Sequence, residues 1–288
     1  MAREVLTCPT DFYAVKYKIN PWMDPDNPAN KVDPVEAKRE HDILLQTFLN
    51  LGRTVHQIAP DENQPDMIYA ANYGHPILYD EAKQKKTGKR GLFIKANFKH
   101  DERKGEARLA KNYFLRTGFD IAELPEDITW EGQGDLIKVG NLYVLGYGQR
   151  SDKRAIGPLA EILEIPEKEI LQVQMIDGHF YHIDTALGAL DDPNKTTAVV
   201  NKKAFNDEDF KQIRRNIDDL LETNDQDNRV LGANLVSVGK VVVLAKGISN
   251  ELKQQFDKRG FGPIEIPMDQ SLRGGGAVKC NTLEYYQS

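Results

Sequence analysis

Asp135-Leu136-Ile137-Lys138-Val139-Gly140-Asn141-Leu142-Tyr143-Val144-Leu145 decides the architecture, because the chain writes the pattern twice: Asn234-Leu235-Val236-Ser237-Val238-Gly239-Lys240-Val241-Val242-Val243-Leu244. Each copy opens on a polar residue, runs through a short apolar strand, turns at Gly-Asn or Gly-Lys, and returns as a second apolar strand. That is the pattern of a β-hairpin. A third unit lies between them, from Asp184 through Ala186-Leu187-Gly188-Ala189-Leu190 to 196–200. Asp135, Asp184, Asn234 and Cys280 follow one another at intervals of 49, 50 and 46 residues. Repetition at such a period implies radial or solenoid assembly. With a helix in each unit, a closed ring would point the polar side chains at equivalent strand starts toward a common axis. The competing reading is two unrelated hairpins that resemble each other by chance.

Working outward, short apolar runs bounded by Gly, Pro and Asn predict strands near 3–7, 54–58, 66–72, 76–79, 91–97, 119–123, 136–139, 142–146, 169–175, 180–190, 196–200, 229–232, 235–238, 241–245 and 263–266. Amphipathic spacing predicts helices over 34–51, 102–117, 153–163, 207–221 and 249–258. Helices interleaved with strands make the fold α/β, in one domain spanning 1–288.

Composition narrows the function. The formal charge is -6 and no basic block or basic-aromatic stripe occurs, which argues against a nucleic-acid partner. The opening Met1-Ala2-Arg3-Glu4 runs into only a few apolar residues, too short for a signal peptide or membrane span. Two cysteines, Cys8 and Cys280, imply no disulfide framework. The expectation is a soluble cytoplasmic protein, with homo-oligomerisation left open.

Four polar clusters carry chemistry. Leu272-Arg273-Gly274-Gly275-Gly276-Ala277-Val278-Lys279-Cys280 delivers a cysteine after three glycines, which permit positive φ and close backbone approach. Nucleophile and buried edge-strand cysteine are both open on this segment alone. In Trp130-Glu131-Gly132-Gln133-Gly134-Asp135, the carboxylates Glu131 and Asp135 share a strand face and raise each other's pKa unless a cation lies between them. In Gly178-His179-Phe180-Tyr181-His182-Ile183-Asp184-Thr185, His182 and Asp184 stand on one face while Tyr181 and Ile183 face away. A metal on His179, His182 and Asp184 lacks a third nitrogen or sulfur ligand at recognisable spacing, so an acid–base histidine beside a binding carboxylate is favoured. In Pro65-Asp66-Met67-Ile68-Tyr69-Ala70-Ala71-Asn72, period two places Asp66 and Asn72 on one strand face. Cysteine, histidine and glutamate on separate units form a nucleophile, a proton carrier and an orienting anion. An imidazolium at His182 or a cationic substrate beside the sulfur would raise the thiolate fraction.

Together these clusters resemble the guanidino-group modifying enzymes, the superfamily of arginine deiminase, dimethylarginine dimethylaminohydrolase and arginine:glycine amidinotransferase. The matching pieces are Asp66 in Pro-Asp-Met-x-x-x-x-Asn, Glu131 in Glu-Gly-x-Gly-Asp, His182-x-Asp184, and Gly-Gly-Gly-x-x-x-Cys280. The opening Tyr17-Lys18-Ile19-Asn20-Pro21-Trp22-Met23 resembles the dimethylargininase-like and arginine dihydrolase subset. The resemblance implies a five-bladed, pseudo-fivefold α/β propeller, the pentein fold, with its site on the axis.

The resemblance also implies roles. Cys280 attacks the guanidinium carbon to form a thiouronium, and His182 protonates the departing nitrogen and then activates water. Glu131 holds His182, and Asp66 and Asp184 pair with guanidinium N–H groups. Three anions around a planar cation suit an Arg-like substrate. No metal and no organic cofactor is implied. Arg150 resembles the family's α-carboxylate arginine, although an ordinary helix-flanking arginine reads the same way. Relatives often carry another arginine near Asn97; either Lys99 or Arg103 substitutes for it here, or the substrate's tail differs. Asn20 and Asn72 resemble amides of the dihydrolase subset and tilt the expected product from citrulline toward ornithine. A citrulline ureohydrolase, an amidinotransferase, a metal-dependent hydrolase and a non-catalytic arginine-binding module remain as alternatives.

Overall fold

Both copies of the repeat fold as antiparallel hairpins, Leu136–Val139 with Leu142–Tyr147 and Val236–Val238 with Val241–Ala245, in a computed structural model that describes residues 4–287. In each unit the second strand leads into a helix and the chain returns as a third strand parallel to the second. A parallel return needs a crossover of this kind. Helix Ile156–Leu163 leads to Ile170–Gln174, and helix Asn250–Asp257 leads to Gly262–Ile266. The unit between them uses strands Leu187–Leu190, Thr197–Val200 and Asp219–Glu222 around helix Asp207–Asn216. The unit before them uses Gly74–Leu78, Gly91–Lys95 and Phe119–Glu123 around helix Asp101–Arg116.

The fifth unit is assembled from both ends of the chain. Leu283–Glu284 pairs antiparallel with Glu4–Thr7, which pairs parallel with Thr54–Gln57 across helix Pro34–Asn50. The described residues thus form five small sheets in the expected five-bladed α/β propeller. Each sheet has only three or four short strands. Burial comes from packing between blades, with Val139, Val144, Leu187, Ala198, Val236 and Val243 in one continuous apolar cluster.

The largest departures from the sequence reading lie at the axis. Residues 66–72 form no strand; they make two 3-10 turns, Pro65–Ile68 and Ala70–Tyr73. Glu131 and Asp135 do not share a strand face but flank the turn Gly132–Gly134, in which Gly132 has φ +62°. His182 is extended while Asp184 lies in the turn Ile183–Thr185, and the strand read over 180–190 begins only at Leu187. Tyr181 does not face away: its hydroxyl donates to the Gly275 carbonyl at 2.9 Å. These turns bend the chain over the axis, so side-chain direction is set by tight turns rather than by alternation.

Elsewhere, the helix read over 207–221 stops at Asn216 because the unit needs Asp219–Glu222 as its third strand. Residues 229–232 are not a strand; Arg229 ends the helix Asp225–Arg229, which Asn224 and Asp227 begin with a capping box, and 230–232 follow it. The helix Glu81–Thr87, capped by Asp80 and ended by Gly88 at φ +69°, was not expected. Residue 3 of the first predicted strand lies outside the described residues.

Candidate active site

Cys280 sits in a turn, not on an edge strand, and its side chain is buried. The glycines before it have a steric reason. Gly275 has φ +88°, a conformation that side chains with a Cβ resist, and a Cβ on Gly276 would stand 2.5 Å from the Tyr69 ring and 2.8 Å from Cys280 Cβ. Asn234 fixes the cysteine from the neighbouring unit. Its Oδ1 accepts from the amides of Ala277 and Cys280, each at 3.1 Å, while its Nδ2 donates to the Asp184 carbonyl at 2.9 Å and to Cys280 Sγ at 3.2 Å. The thiol in turn donates to Asp184 Oδ2 at 3.2 Å. Asp184, Asn234 and Cys280 are the repeat-equivalent starts of three units, and the ring brings them together.

His182 lies beside Glu131, Nε2 to Oε2 at 2.7 Å. The surrounding bonds decide its tautomer. Arg103 Nη1, which can only donate, binds Asn72 Oδ1 at 2.9 Å, so Asn72 turns its NH₂ group toward His182 Nδ1 at 3.4 Å. Nδ1 therefore carries the lone pair and Nε2–H donates to Glu131. Arg103 is itself clamped by Glu106 at 2.8 and 2.7 Å, both side chains buried. Breaking such a pair leaves a charge without compensation. Arg103→Met is expected to lower stability by about 3–5 kcal/mol, and removing both charges with Arg103→Met/Glu106→Leu by less. Urea unfolding midpoints of the two variants check the order.

Asp66 and Asp184 share a feature. Tyr17 donates to Asp66 Oδ2 at 2.9 Å and the thiol to Asp184 Oδ2, yet Oδ1 of each aspartate is buried and accepts no hydrogen bond. Buried polar atoms are nearly always paired, so two such oxygens need a reason. Asp135 is fully engaged, accepting from Ser151 Oγ at 2.6 Å and the Ile183 amide at 3.2 Å, and stands 4.0 Å from His182 Nε2. Asn20 is engaged at both ends, donating to the Gly274 carbonyl and accepting from the Trp22 and Met23 amides. It shapes the 17–23 loop over the glycines. Arg150 is buried, with Nη1 on Glu131 Oε2 and Nη2 on the Ile19 carbonyl, each at 3.0 Å, and its guanidinium over the Tyr181 ring. Of the two candidates near Asn97, Arg103 is committed to Glu106 and Asn72. Lys99 instead donates from its exposed end to the Gln149 carbonyl, beside Arg150.

Electrostatics follow from burial. Burial, reinforced by the Asp184 carboxylate, pushes the Cys280 thiol well above its usual range. Burial also lifts Asp184 to about 7, against the thiol bond and the Lys279 ammonium, and raises Asp66 and Asp135. Burial pushes His182 down to about 4 although Glu131 opposes it. Burial would raise Glu131 too, but Arg150 and His182 together hold it well below the carboxylate range. At neutral pH the pair is therefore neutral imidazole and carboxylate. An imidazolium does not stand ready to ionise the thiol, which leaves a cationic ligand as the charge that would.

The structure also reveals partners not singled out from sequence for this site: Tyr17 on Asp66, Asn234 on Cys280, Ser151 on Asp135, and Glu106 behind Arg103. Asn234 could have been found, since it occupies the repeat position of Asp135. Among the described residues, no group of three or more His, Cys, Asp or Glu is arranged to hold a metal ion, and no helix is long and apolar enough to cross a membrane.

No family model matches the chain. A dimethylarginine dimethylaminohydrolase of Mycobacterium tuberculosis is 36% identical over 287 residues, covering 99% of this chain and 86% of that protein. The bifunctional arginine dihydrolase/ornithine cyclodeaminase AgrE of Nostoc is 31% identical over 282 residues, covering 96% of this chain but only 37% of that protein. Among solved structures, the N-terminal domain of the cyanobacterial arginine dihydrolase ArgZ, in a cysteine-to-serine variant bound to substrate, superposes with a TM-score of 0.88 at 28% identity. The match covers 99% of this chain and 98% of that one. Another variant of that domain is covalently bound to a reaction intermediate.

Proposed function

Because the chain belongs to the family of guanidino-group hydrolases that includes dimethylarginine dimethylaminohydrolase and arginine dihydrolase, we propose that it hydrolyses the guanidino group of arginine through Cys280 and carries the product on to ornithine. The observation that supports this most is the pair of buried carboxylate oxygens, Asp66 Oδ1 and Asp184 Oδ1, that accept no hydrogen bond. A planar guanidinium presents N–H donors that such oxygens match, and its charge compensates carboxylates whose pKa burial has raised.

In this reading the arriving cation lowers the thiol pKa, and the thiol proton passes to His182 Nδ1, the nitrogen that holds the lone pair. The sulfur bonds to the guanidinium carbon, and imidazolium gives its proton to the departing nitrogen, which leaves as ammonia. The adduct is a thiouronium on Cys280. His182, neutral again, takes a proton from water as the hydroxide adds to the same carbon and the sulfur leaves. That turnover gives citrulline. A second hydrolysis of the ureido group gives ornithine, carbon dioxide and another ammonia, so one arginine and two waters balance the whole. Asn72, whose NH₂ faces His182 Nδ1, is placed to hold the ureido oxygen or the attacking water. Lys99 and Arg150 take the substrate's α-carboxylate, Arg150 exchanging part of its hold on Glu131.

Guanidinium binding needs Asp184 ionised. With Asp184 lifted to about 7 in the free protein, the carboxylate is progressively protonated below that pH, and kcat/KM for arginine should fall about tenfold per unit there. A pH–rate profile whose acid limb lies in the ordinary carboxylate range would detach Asp184 from substrate binding.

The 36% identity to a dimethylarginine dimethylaminohydrolase favours a second reading, in which dimethylarginine is the substrate and citrulline the end product. Mass spectrometry of products from purified protein given arginine, dimethylarginine or citrulline separates the two. Ornithine with two ammonia per arginine supports the dihydrolase; citrulline and dimethylamine from dimethylarginine alone overturn it.

A further inference from the structure

Of the repeat-equivalent positions Asp135, Asp184, Asn234 and Cys280, three can carry a negative charge and Asn234 alone cannot. Asn234 follows the helix Asp225–Arg229, precedes the strand Val236–Val238 and is fully buried. A tight turn holds its backbone: Leu231, at φ +51°, accepts from the Asn234 amide through its carbonyl at 2.8 Å. That left-handed conformation is uncommon outside glycine and persists only where the surrounding structure fixes it.

The direction of the Asn234 side chain follows from its partners. The Ala277 and Cys280 amides can only donate, so the atom that both meet at 3.1 Å is the oxygen. The Asp184 carbonyl can only accept, so the atom 2.9 Å from it is the nitrogen. One N–H of Nδ2 serves that carbonyl, and the second reaches Cys280 Sγ at 3.2 Å. Among the described residues, no other side chain donates a hydrogen bond to the sulfur. Asp184 Oδ2 accepts the thiol proton's bond and has no donor to give once that proton has left. Asn234 behaves in the opposite way. Its bond strengthens as the sulfur becomes an anion, because a hydrogen bond to a charged acceptor is about twice as strong as one to a neutral acceptor. Burial and Asp184 push the thiol pKa up, and the Ala277 amide and Asn234 work against them.

We infer that Asn234 is a further catalytic residue, donating Nδ2–H to the Cys280 sulfur whenever that sulfur is an anion. This rests on the reading of Cys280 as the nucleophile. In that scheme the sulfur is anionic twice: after its proton passes to His182, and again when it leaves the carbon to which hydroxide has added. A carboxylate at this station, the residue type that Asp135 and Asp184 supply at theirs, would oppose the anion on both occasions. An amide of the same shape stabilises it.

Asn234→Asp and Asn234→Ser separate this role from a structural one. Aspartate keeps the shape and the oxygen that binds the Ala277 and Cys280 amides, but it loses the N–H and brings charge to the sulfur. Serine is too short to reach the sulfur and adds no charge. Of the two variants, Asn234→Asp should therefore melt at the higher temperature yet turn over more slowly. At a pH well above the Asp184 value of about 7, kcat for arginine should fall about tenfold or more in Asn234→Ser and further in Asn234→Asp. Alkylation of Cys280 by iodoacetamide, located by peptide mass spectrometry, should slow about threefold or more in both. A tenfold loss of thiolate is partly offset by the greater nucleophilicity of a more basic sulfur. Asn281→Ala removes bonds to the Ala277 carbonyl at 2.8 Å and Ser271 Oγ at 2.7 Å without touching the sulfur. It should lower the melting temperature without slowing alkylation. If Asn234→Asp does not fold, Asn234→Ser carries the test. Alkylation of Asn234→Ser at the parent rate, a higher kcat in Asn234→Asp than in Asn234→Ser, or alkylation slowed as much by Asn281→Ala would each overturn the proposal. Turnover by Cys280→Ser would overturn the nucleophile reading beneath it, a failure kept distinct by the alkylation rates, which need no turnover.

Discussion

Cys280→Ser is expected to abolish turnover while leaving arginine bound. The serine hydroxyl can still donate to Asp184 Oδ2 and accept from Asn234 Nδ2, the two contacts the thiol makes, so the shape and charge around the guanidinium survive. Nucleophilicity does not. A hydroxyl near neutral pH has almost no anionic fraction, and among the described residues no imidazolium or lysine is paired with the sulfur to create one; the neighbouring carboxylate of Asp184 works in the opposite direction. Loss of a covalent nucleophile in a cooperating set removes essentially the whole chemical acceleration, so kcat should fall by ~10⁴-fold or more. Rapid-quench kinetics with titration calorimetry read both halves. Turnover within tenfold of the parent would end the covalent mechanism. Loss of arginine binding together with turnover would make Cys280 a structural residue of the Gly-rich turn. His182→Gln is expected to block the reaction as well; a mass shift on Cys280 that accumulates in this variant would support the role of His182 in the water step.

The ring was legible because hairpins announce themselves locally. Gly140 and Gly239 both adopt positive φ at the turns of the repeated stretch, and the nearly continuous burial of the flanking strands is written in their apolar residues. What was not legible is how the axis is built. Asp66 and Asn72, or His182 and Asp184, look like alternating strand positions, yet each pair sits in or beside a 3-10 turn. Turn and strand share the same residue types here. The choice is made by long-range partners, such as the Cys280 carbonyl accepting from Ala71 N at 3.0 Å. The same limit hid the last strands. Leu283–Glu284 and Tyr286–Gln287 are two residues each and exist because Glu4–Thr7 and Gly74–Leu78 offer them an edge.

Individual side-chain roles divide along the same line. Asp135 marked the start of a repeat, and so did Asn234, but one binds Ser151 behind the histidine and the other holds the cysteine. Repetition locates the axis without assigning the chemistry at each station. Arg103 shows the converse. Its sequence position near Asn97 made it a candidate for the substrate's carboxylate, whereas Glu106, one helical turn away, claims Nε and Nη2 and leaves Nη1 to orient Asn72. An i, i+3 pair on a helix is readable in sequence; that both members are buried against the site is not.

Asp66→Asn is expected to raise KM for arginine by about 10²-fold or more without lowering stability. The Asp66 carboxylate is buried, accepts from Tyr17 through Oδ2, and has Oδ1 without a donor. Its pKa is raised by burial, against Arg103 and the Tyr17 bond. A carboxylate whose folded pKa exceeds its unfolded one stabilises the fold only when protonated, and that contribution is lost as pH rises through the folded value. At neutral pH the ionised form is therefore a cost to the free protein, which a bound guanidinium would offset. Asparagine keeps the shape, can still accept from Tyr17, and removes the charge, so the melting temperature should hold or rise. Toward the guanidinium, however, it replaces an ion pair by a neutral amide, and losing one partner of a buried pair costs about 3–5 kcal/mol. Measured together, the two quantities separate the possibilities. A higher KM at an undiminished melting temperature places Asp66 on the substrate, an unchanged KM removes it from the site, and a lower melting temperature makes Tyr17–Asp66 a structural contact of the 17–23 loop.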